Sequence, residues 1–132
     1  MRLGQEVQEV PRRGSVKALR LHAAISHTAV LLWQLYVALV AWRSGAVLER
    51  LLHGLGAGAG IGVSLFIATC RWWIVVPMFF AALGAAAVRR IETKPMFSVA
   101  VLGAEAIVAL LMNIWWREAW FGPILTLIRQ VG

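Results

Sequence analysis

The sequence contains no aspartate, only one cysteine and few charged side chains of any kind. Without aspartate it cannot form an Asp-dependent catalytic triad or an aspartate metal cluster, and a single cysteine excludes an internal disulfide and a cysteine-ligated metal site. Neither a Walker-type loop nor an HExxH pattern is present. The polar segments are also short, which predicts that the protein has no extramembrane catalytic domain and is not an enzyme.

Apolar residues, by contrast, make up 61% of the chain, and they occur in long blocks instead of amphipathic stripes. A helix needs about 20 apolar residues to cross a bilayer, and the blocks are of that length or longer. We therefore expect an all-α integral membrane protein with three or four transmembrane helices. A basic polar tail over 1–20 precedes the transmembrane domain over 21–116. Residues 117–132 are predicted to form an interfacial amphipathic C-terminal helix that begins near Gly122.

The number of spans depends on the block over 51–88. Spans over 22–42 and 96–116 are each one apolar block, whereas a single helix over 51–88 would measure about 57 Å. That exceeds the hydrocarbon thickness of roughly 30 Å. The favoured interpretation divides the block into spans over 51–70 and 72–88, which makes four spans.

An alternative treats the glycine-rich part of this block as a loop. One long tilted helix would then run over 62–88 and be kinked at Pro77. This alternative gives three spans.

Glycine occupies every second position over 54–62. Read as a helix, the run carries a small-xxx-small stripe on each of two opposite sides, the pattern that lets helix backbones approach closely. The stripes consist of Gly54, Gly58 and Gly62 on one side and Gly56 and Gly60 on the other. Two such stripes predict close neighbours on both sides and hence an assembly, with Ala100 and Gly103 as a secondary contact. A flexible glycine linker is the alternative.

Glu105 lies in the middle of an apolar run, VLGAEAIVALL, over 101–111. An ionised carboxylate facing lipid is costly, so this group must be paired, hydrated or protonated. Its possible partners within the chain are His27, Gln34 and Arg71. Three roles are open: a structural hydrogen bond or ion pair to another helix, a place in a proton or cation pathway, and a contact to a lipid headgroup or ligand.

Helical projection places Glu105 on one face of its span together with Ser98, Val101, Leu102, Val108, Ala109 and Met112. Ala100, Gly103 and Ile107 lie on the opposite face. In the first span, His27, Gln34 and Ala38 fall near one face, and a polar stripe of this kind is expected to contact protein.

No cofactor or metal site is predicted. His22 and His27 are about 140° apart on a helix and cannot bind one metal together. A haem between His27 or His53 and a partner is a minor alternative, whereas bound lipids are expected. Five of the seven tryptophans lie at predicted span ends and are interpreted as interfacial anchors: Trp42, Trp72, Trp73, Trp115 and Trp116.

The stretches GAGAGIG and, after RRIETKP, MFSVAVLGAEAIVALL together resemble the rotor proteolipid of ATP synthases. In that family a glycine-alternating helix and a helix with a central glutamate form a hairpin around a loop that contains arginine. The resemblance covers about thirty residues. The spans over 22–42 and 72–88 have no counterpart in a two-helix hairpin, so the sequence is not assigned to the family.

The net charge of +7 arises from thirteen basic residues, five of them within 2–20 and the others beside the ends of apolar blocks. This distribution indicates anionic lipid headgroups, not nucleic acid, as the partner. In the four-span arrangement eight basic residues lie on the N-terminal side. The N-terminus is therefore expected on the cytoplasmic or matrix side.

These observations together predict a small, non-catalytic subunit of a larger multisubunit membrane complex. Its role would be packing, assembly and lipid sealing, and a bacterial or mitochondrial inner membrane, with its respiratory or ATP synthase complexes, is a plausible setting. A hetero-complex is favoured over a homo-oligomer. The alternative function is a small oligomeric transporter, channel or holin-like pore with Glu105 in a proton or cation pathway.

Overall fold

The computed structural model describes residues 13–55 and 60–131, and these are helical apart from short turns. The elements in chain order are α1 (Arg13–Leu55), α2 (Ile61–Thr69), a 3₁₀ segment (Cys70–Ile74), α3 (Val75–Arg89) and α4 (Pro95–Val131). Three stretches are long and apolar enough to cross a membrane: Gly14–Gly54, Ile61–Arg89 and Pro95–Thr126. The all-helical membrane class is thus confirmed, whereas the described residues form no fourth span.

The middle span, Ile61–Arg89, consists of α2, the 3₁₀ segment and α3 without a break. The favoured division into two spans at Arg71 is therefore not found, and the alternative with three spans agrees with the structure. A reversal at this point would leave backbone groups unpaired, whereas a continuous helix satisfies them. Pro77 has no N–H to donate to the carbonyl of Trp73, and the turn just before it tightens to 3₁₀ geometry.

The glycine run does not form one continuous helix. α1 continues past the predicted end of the first span as far as Leu55, and α2 begins at Ile61. Gly60 has an extended backbone (φ −60°, ψ 158°), and its carbonyl accepts hydrogen bonds from the N–H groups of Val63 and Ser64 at 3.0 Å. Gly60 is thus the N-cap of α2, while Gly56 and Gly58 lie outside the described residues.

The C-terminal residues continue α4 and do not start a new helix. α4 begins with Pro95 and remains helical through Gly122 and Pro123 to Val131. Proline within a helix removes one hydrogen bond, here to the carbonyl of Ala119, and in α4 the helix continues past that gap. A separate interfacial helix is therefore not seen.

Helices α1 and α4 run parallel in a constant register. Three of their side-chain contacts join residues 71 or 72 positions apart in the sequence: His27 with Ser98, Gln34 with Glu105, and Ser44 with Trp116. His27 also contacts Glu105, which is one heptad beyond Ser98 and 78 positions away. The middle span is antiparallel to them, because its early residue Cys70 is close to Gly45 and its later residue Gly84 is close to His27.

The buried residues follow the spacing of a coiled-coil seam. Buried positions of the middle span and the turn after it alternate by four and three residues: Phe66, Cys70, Trp73, Pro77, Phe80, Gly84, Ala87 and Ile91. Buried positions seven residues apart recur on the other two helices: His27, Gln34, Ala41 and Leu48 on α1, and Ser98, Glu105, Met112 and Ala119 on α4. Polar side chains therefore occupy two successive core layers, and apolar ones occupy the next two.

Candidate functional site

A polar cluster lies inside the bundle, in the part of the three spans that is otherwise apolar. It consists of His27 and Gln34 of α1 with Ser98 and Glu105 of α4, and all four are buried. Nδ1 of His27 lies 2.8 Å from Oε2 of Glu105, and the two side chains are 4% and 0% exposed. The face of α1 that was predicted to contact protein is the one that carries His27 and Gln34, and it meets the face of α4 that carries Glu105.

Burial in an apolar setting determines how this pair holds its protons. A net charge surrounded by hydrocarbon is costly, so the pair favours its neutral forms, either imidazolium with carboxylate or imidazole with carboxylic acid. In both forms Nε2 of His27 carries hydrogen and donates to Oγ of Ser98, 3.3 Å away. One proton is shared along the 2.8 Å contact on the other side of the ring.

The connectivity Ser98–His27–Glu105 is that of a serine-nucleophile triad, but its protonation does not suit that chemistry. An activating base must accept the hydroxyl proton at Nε2, whereas the neutral forms of the pair place hydrogen there. Ser98 is also 5% exposed, which leaves its hydroxyl little access to a substrate. What the geometry shows is that the cluster joins α1 to α4.

Gln34 ties the same two helices one layer further along. Its Nε2 donates to the backbone carbonyl of Glu105 at 2.8 Å, and the side chain is fully buried. Two buried oxygens, Oε1 of Gln34 and Oε1 of Glu105, have no hydrogen-bond partner within the described part of the chain. Unpaired buried oxygens are uncommon in folded proteins and make this the least satisfied part of the bundle.

Gly84 of α3 closes the cluster from the third helix, and sequence reasoning missed it. A Cβ atom built on Gly84 would lie 3.1 Å from Oε1 of Glu105 and 3.3 Å from Nδ1 of His27. The absence of a side chain therefore lets α3 pack directly against the ion pair. The signal that could have found it is the alternating spacing of four and three along the middle span.

Arg71, a predicted partner of Glu105, lies elsewhere. It lines a cleft that also includes Cys70 and Gly45, and Gly45 is eleven residues beyond Gln34, about 16 Å along α1. The structure thus brings Glu105, His27 and Gln34 together and leaves Arg71 apart.

The predicted interfacial tryptophans gather at one level of the bundle, which we call the tryptophan level. Trp73 contacts Trp115 with ring centroids 5.4 Å apart, and Nε1 of Trp116 donates to Oγ of Ser44 at 3.2 Å. Trp42 lines the same cleft as Arg71. Trp72 follows Arg71 directly in the chain, so Trp42 and Trp72 lie at a similar level. Trp73 is buried against Phe66 and the other four are at least partly exposed, so Trp73 is a core residue.

The predicted helix-packing residues have open space around them. A Cβ atom on Gly54, Gly60, Gly62 or Gly103 would meet nothing within 4 Å, and Ala100 is exposed. Their role in packing against a neighbouring chain stays a prediction.

Haem ligation by His27 would require one of its two hydrogen bonds to break, since both ring nitrogens are engaged. His53 lies about 39 Å further along α1 and is exposed. Among the residues that the structure describes, no three His, Cys, Asp or Glu side chains are grouped so as to hold a metal ion.

Comparisons with protein-family models, with curated proteins and with solved structures found no match for this chain. The likeness to the rotor proteolipid rests on the sequence pattern alone.

Proposed function

We propose that the protein is a small, non-catalytic integral-membrane subunit that assembles with other membrane proteins. The positions of charged residues indicate which part of the bundle would lie in the hydrocarbon core of the bilayer. Three stretches at one level, 21–42, 72–88 and 95–116, contain no charged residue except Glu105. The first and third each measure about 33 Å as helices, close to the roughly 30 Å of bilayer hydrocarbon.

The two boundaries of this layer have the chemistry expected of membrane interfaces. At one end Arg20 of α1 pairs with Glu92 in the turn before α4, with 2.6 Å between charged atoms. At the other end is the tryptophan level, and tryptophan favours the interface. Beyond it the bundle continues as a part that we call the extension, made of residues 43–55, 61–70 and 117–131.

The extension carries the observation on which the proposal rests. It lies outside the proposed hydrocarbon layer, since charged residues such as Arg50 and Glu118 occur at that level. Yet it exposes large apolar side chains, among them Ile61 at 83% and Ile128 at 63%. Others of this group are Leu65, Phe121 and Leu125. Apolar side chains exposed together outside lipid are typical of a surface that a protein partner covers.

The closed polar cluster supports the same proposal. His27 satisfies one carboxylate oxygen of Glu105 from within the chain, which supports the structural role among the three that the sequence left open. A cluster that joins helices within the chain suits a bundle whose functions are packing, assembly and sealing of lipid against neighbours.

Site-specific photo-crosslinking in the native membrane tests the proposal. A photoreactive amino acid replaces Leu125 of the extension, which is 55% exposed, and Leu32 of the hydrocarbon layer, which is 61% exposed, serves as the matched control. We expect Leu125 to crosslink one or a few proteins at fixed stoichiometry and Leu32 to crosslink lipid. Mass spectrometry of the products would identify the partners. Crosslinks to lipid alone at both positions would contradict the proposal.

The second candidate is a proton or cation pathway through Glu105. The two unpaired buried oxygens of Gln34 and Glu105 favour it, because a passing proton or ion needs such acceptors. The variant Glu105→Gln separates the two functions: a conductor assembles normally and loses flux in vesicles, whereas a structural subunit shows no flux in either form.

For orientation, we infer that the N-terminus faces the cytoplasm or matrix. With three spans, Arg89, Arg90 and Lys94 join the basic N-terminal tail, and eight of thirteen basic residues again fall on that side. Labelling of Thr93→Cys and Thr126→Cys in a Cys70→Ala background, with an impermeant maleimide on intact inner-membrane preparations, checks this inference. We expect only Thr126→Cys to react from outside.

A further inference from the structure

A cleft at the tryptophan level opens between α1 and the 3₁₀ segment. Its volume is about 220 Å³, and it is lined by Trp42, Gly45, Ala46, Glu49, Ile67, Cys70 and Arg71. Gly45 leaves no room for a side chain, because a Cβ atom there would lie 2.5 Å from Sγ of Cys70. The two helices are therefore held at close approach behind the cleft, and its shape is built into the backbone.

The cleft presents one positive and one negative side chain, neither of which has a partner. Within the described part of the chain, the side chains of Glu49 and Arg71 form no ion pair and no hydrogen bond. Both are exposed. At the opposite end of the bundle Arg20 and Glu92 satisfy each other at 2.6 Å. The charges of the cleft are thus free to contact a ligand.

The depth of the cleft relative to the bilayer indicates which molecules can reach it. From Trp42, at the proposed boundary of the hydrocarbon layer, the cleft extends to Glu49, about 10 Å further along α1. The headgroup region of a bilayer leaflet is about 5–8 Å thick. The cleft therefore spans the phospholipid headgroup region and reaches its outer edge, and its volume is below the roughly 300 Å³ at which sites for drug-sized molecules begin.

We propose that this cleft binds the headgroup of a zwitterionic phospholipid that carries a phosphate and a primary ammonium group. The guanidinium of Arg71 takes the phosphate, for which its planar donors are suited. The carboxylate of Glu49 accepts hydrogen bonds from the ammonium, and the ring of Trp42 lies beside that cation. Ala46 and Ile67 line the cleft beside the headgroup, on the side away from the hydrocarbon layer.

The charges of Arg71 and Glu49 suit the other common headgroup classes less well. A singly anionic headgroup would satisfy Arg71 but place its negative charge beside Glu49 as well. A trimethylammonium headgroup has no N–H to donate to Glu49 and keeps only the contact with Trp42. The site depends on the position of the bilayer and not on any protein partner.

Native mass spectrometry of the protein in mild detergent tests the proposal, with phosphatidylethanolamine, phosphatidylglycerol and phosphatidylcholine added at equal concentration. We expect phosphatidylethanolamine to be retained most strongly. Arg71→Gln and Glu49→Gln should each weaken its retention about tenfold, which is the effect of losing one charge-assisted hydrogen bond. Glu49→Gln should also bring phosphatidylglycerol up to the level of phosphatidylethanolamine.

The control is Arg129→Gln, which removes an exposed charge of α4 that lies further from this cleft. This variant should retain lipid as the wild type does. Equal retention of all three lipids by the wild type would overturn the proposal, and so would retention that only the control variant lowers. Because Arg71 and Glu49 are exposed, helix content by circular dichroism should be unchanged, so lost retention reports the site itself.

Discussion

Two levels of the same bundle are held together by different means. At the polar cluster, His27, Glu105 and Gln34 join α1 to α4 through hydrogen bonds with fixed partners, and Gly84 brings α3 against them. At the tryptophan level, contacts between the rings of Phe66, Trp73 and Trp115 join the middle span to α4, and a single, only partly buried hydrogen bond from Trp116 to Ser44 joins α4 to α1.

The two levels differ in how strongly they fix the register between the helices. Apolar side chains pack acceptably in more than one register, whereas a buried polar group that loses its partner is costly. A shift of α4 by one turn along α1 would separate His27 from Glu105 and leave apolar contacts at the tryptophan level. The polar cluster therefore selects the parallel register of 71 residues, and the aromatic residues supply contact area.

The largest expected effect comes from leaving Glu105 buried without its partner. His27→Leu should destabilise the bundle by about 3–5 kcal/mol, the range for breaking one side of a buried ion pair. Replacing both groups, in His27→Leu with Glu105→Leu, should recover most of that loss. Unfolding in mixed micelles with increasing SDS measures both. A double variant as unstable as the single one would argue against the pairing as the cause.

At the tryptophan level, removing a buried ring should lower the stability of the bundle by about 3 kcal/mol through lost contact area. Trp73→Ala removes a buried ring that contacts Phe66 and Trp115, whereas Trp72→Ala removes an exposed neighbour. The same SDS titration should show a large loss for the first variant and a small one for the second. Equal losses would mean that Trp73 has no special role in the core.

The close approach of α3 to the polar cluster predicts an intermediate effect. Gly84→Ala places a methyl group 3.1 Å from Oε1 of Glu105, so we expect a cost of about 1–3 kcal/mol. Gly103→Ala is the control, because a Cβ atom there meets nothing within 4 Å. The difference between the two transition midpoints in detergent is the measurement. A stabilised Gly84→Ala variant would show that the helices separate freely at this level.

The smallest effect is expected for the ion pair at the membrane surface. Arg20 and Glu92 are 2.6 Å apart but each is 48% exposed, so solvent and salt screen them. Arg20→Gln should cost under about 1 kcal/mol, and added salt should abolish the difference from wild type. A cost that persists in high salt would mean that this pair also helps to select the register.

Much of the bundle was predictable from the order of the residues. The apolar blocks predicted the membrane class, and helical projection identified the faces of Gln34 and Glu105. The choice between three and four spans was not predictable, because Arg71 and two tryptophans after an apolar block suit an interfacial turn as well as a position inside a helix. Backbone hydrogen bonds that continue the helix past Arg71 decide for three spans, and the sequence pattern does not show whether those bonds form.

The polar cluster, too, was predictable from the sequence only in part. The sequence by itself determined that Glu105 needs a partner, because an isolated carboxylate is too costly inside hydrocarbon. Only the tertiary structure decided which partner it has. Arg71, the stronger charge, lies one level away, while His27 and Gly84 reach Glu105 from the two other helices. The physical reason is register: contacts between residues 78 positions apart depend on how whole helices align, and no local pattern contains that alignment.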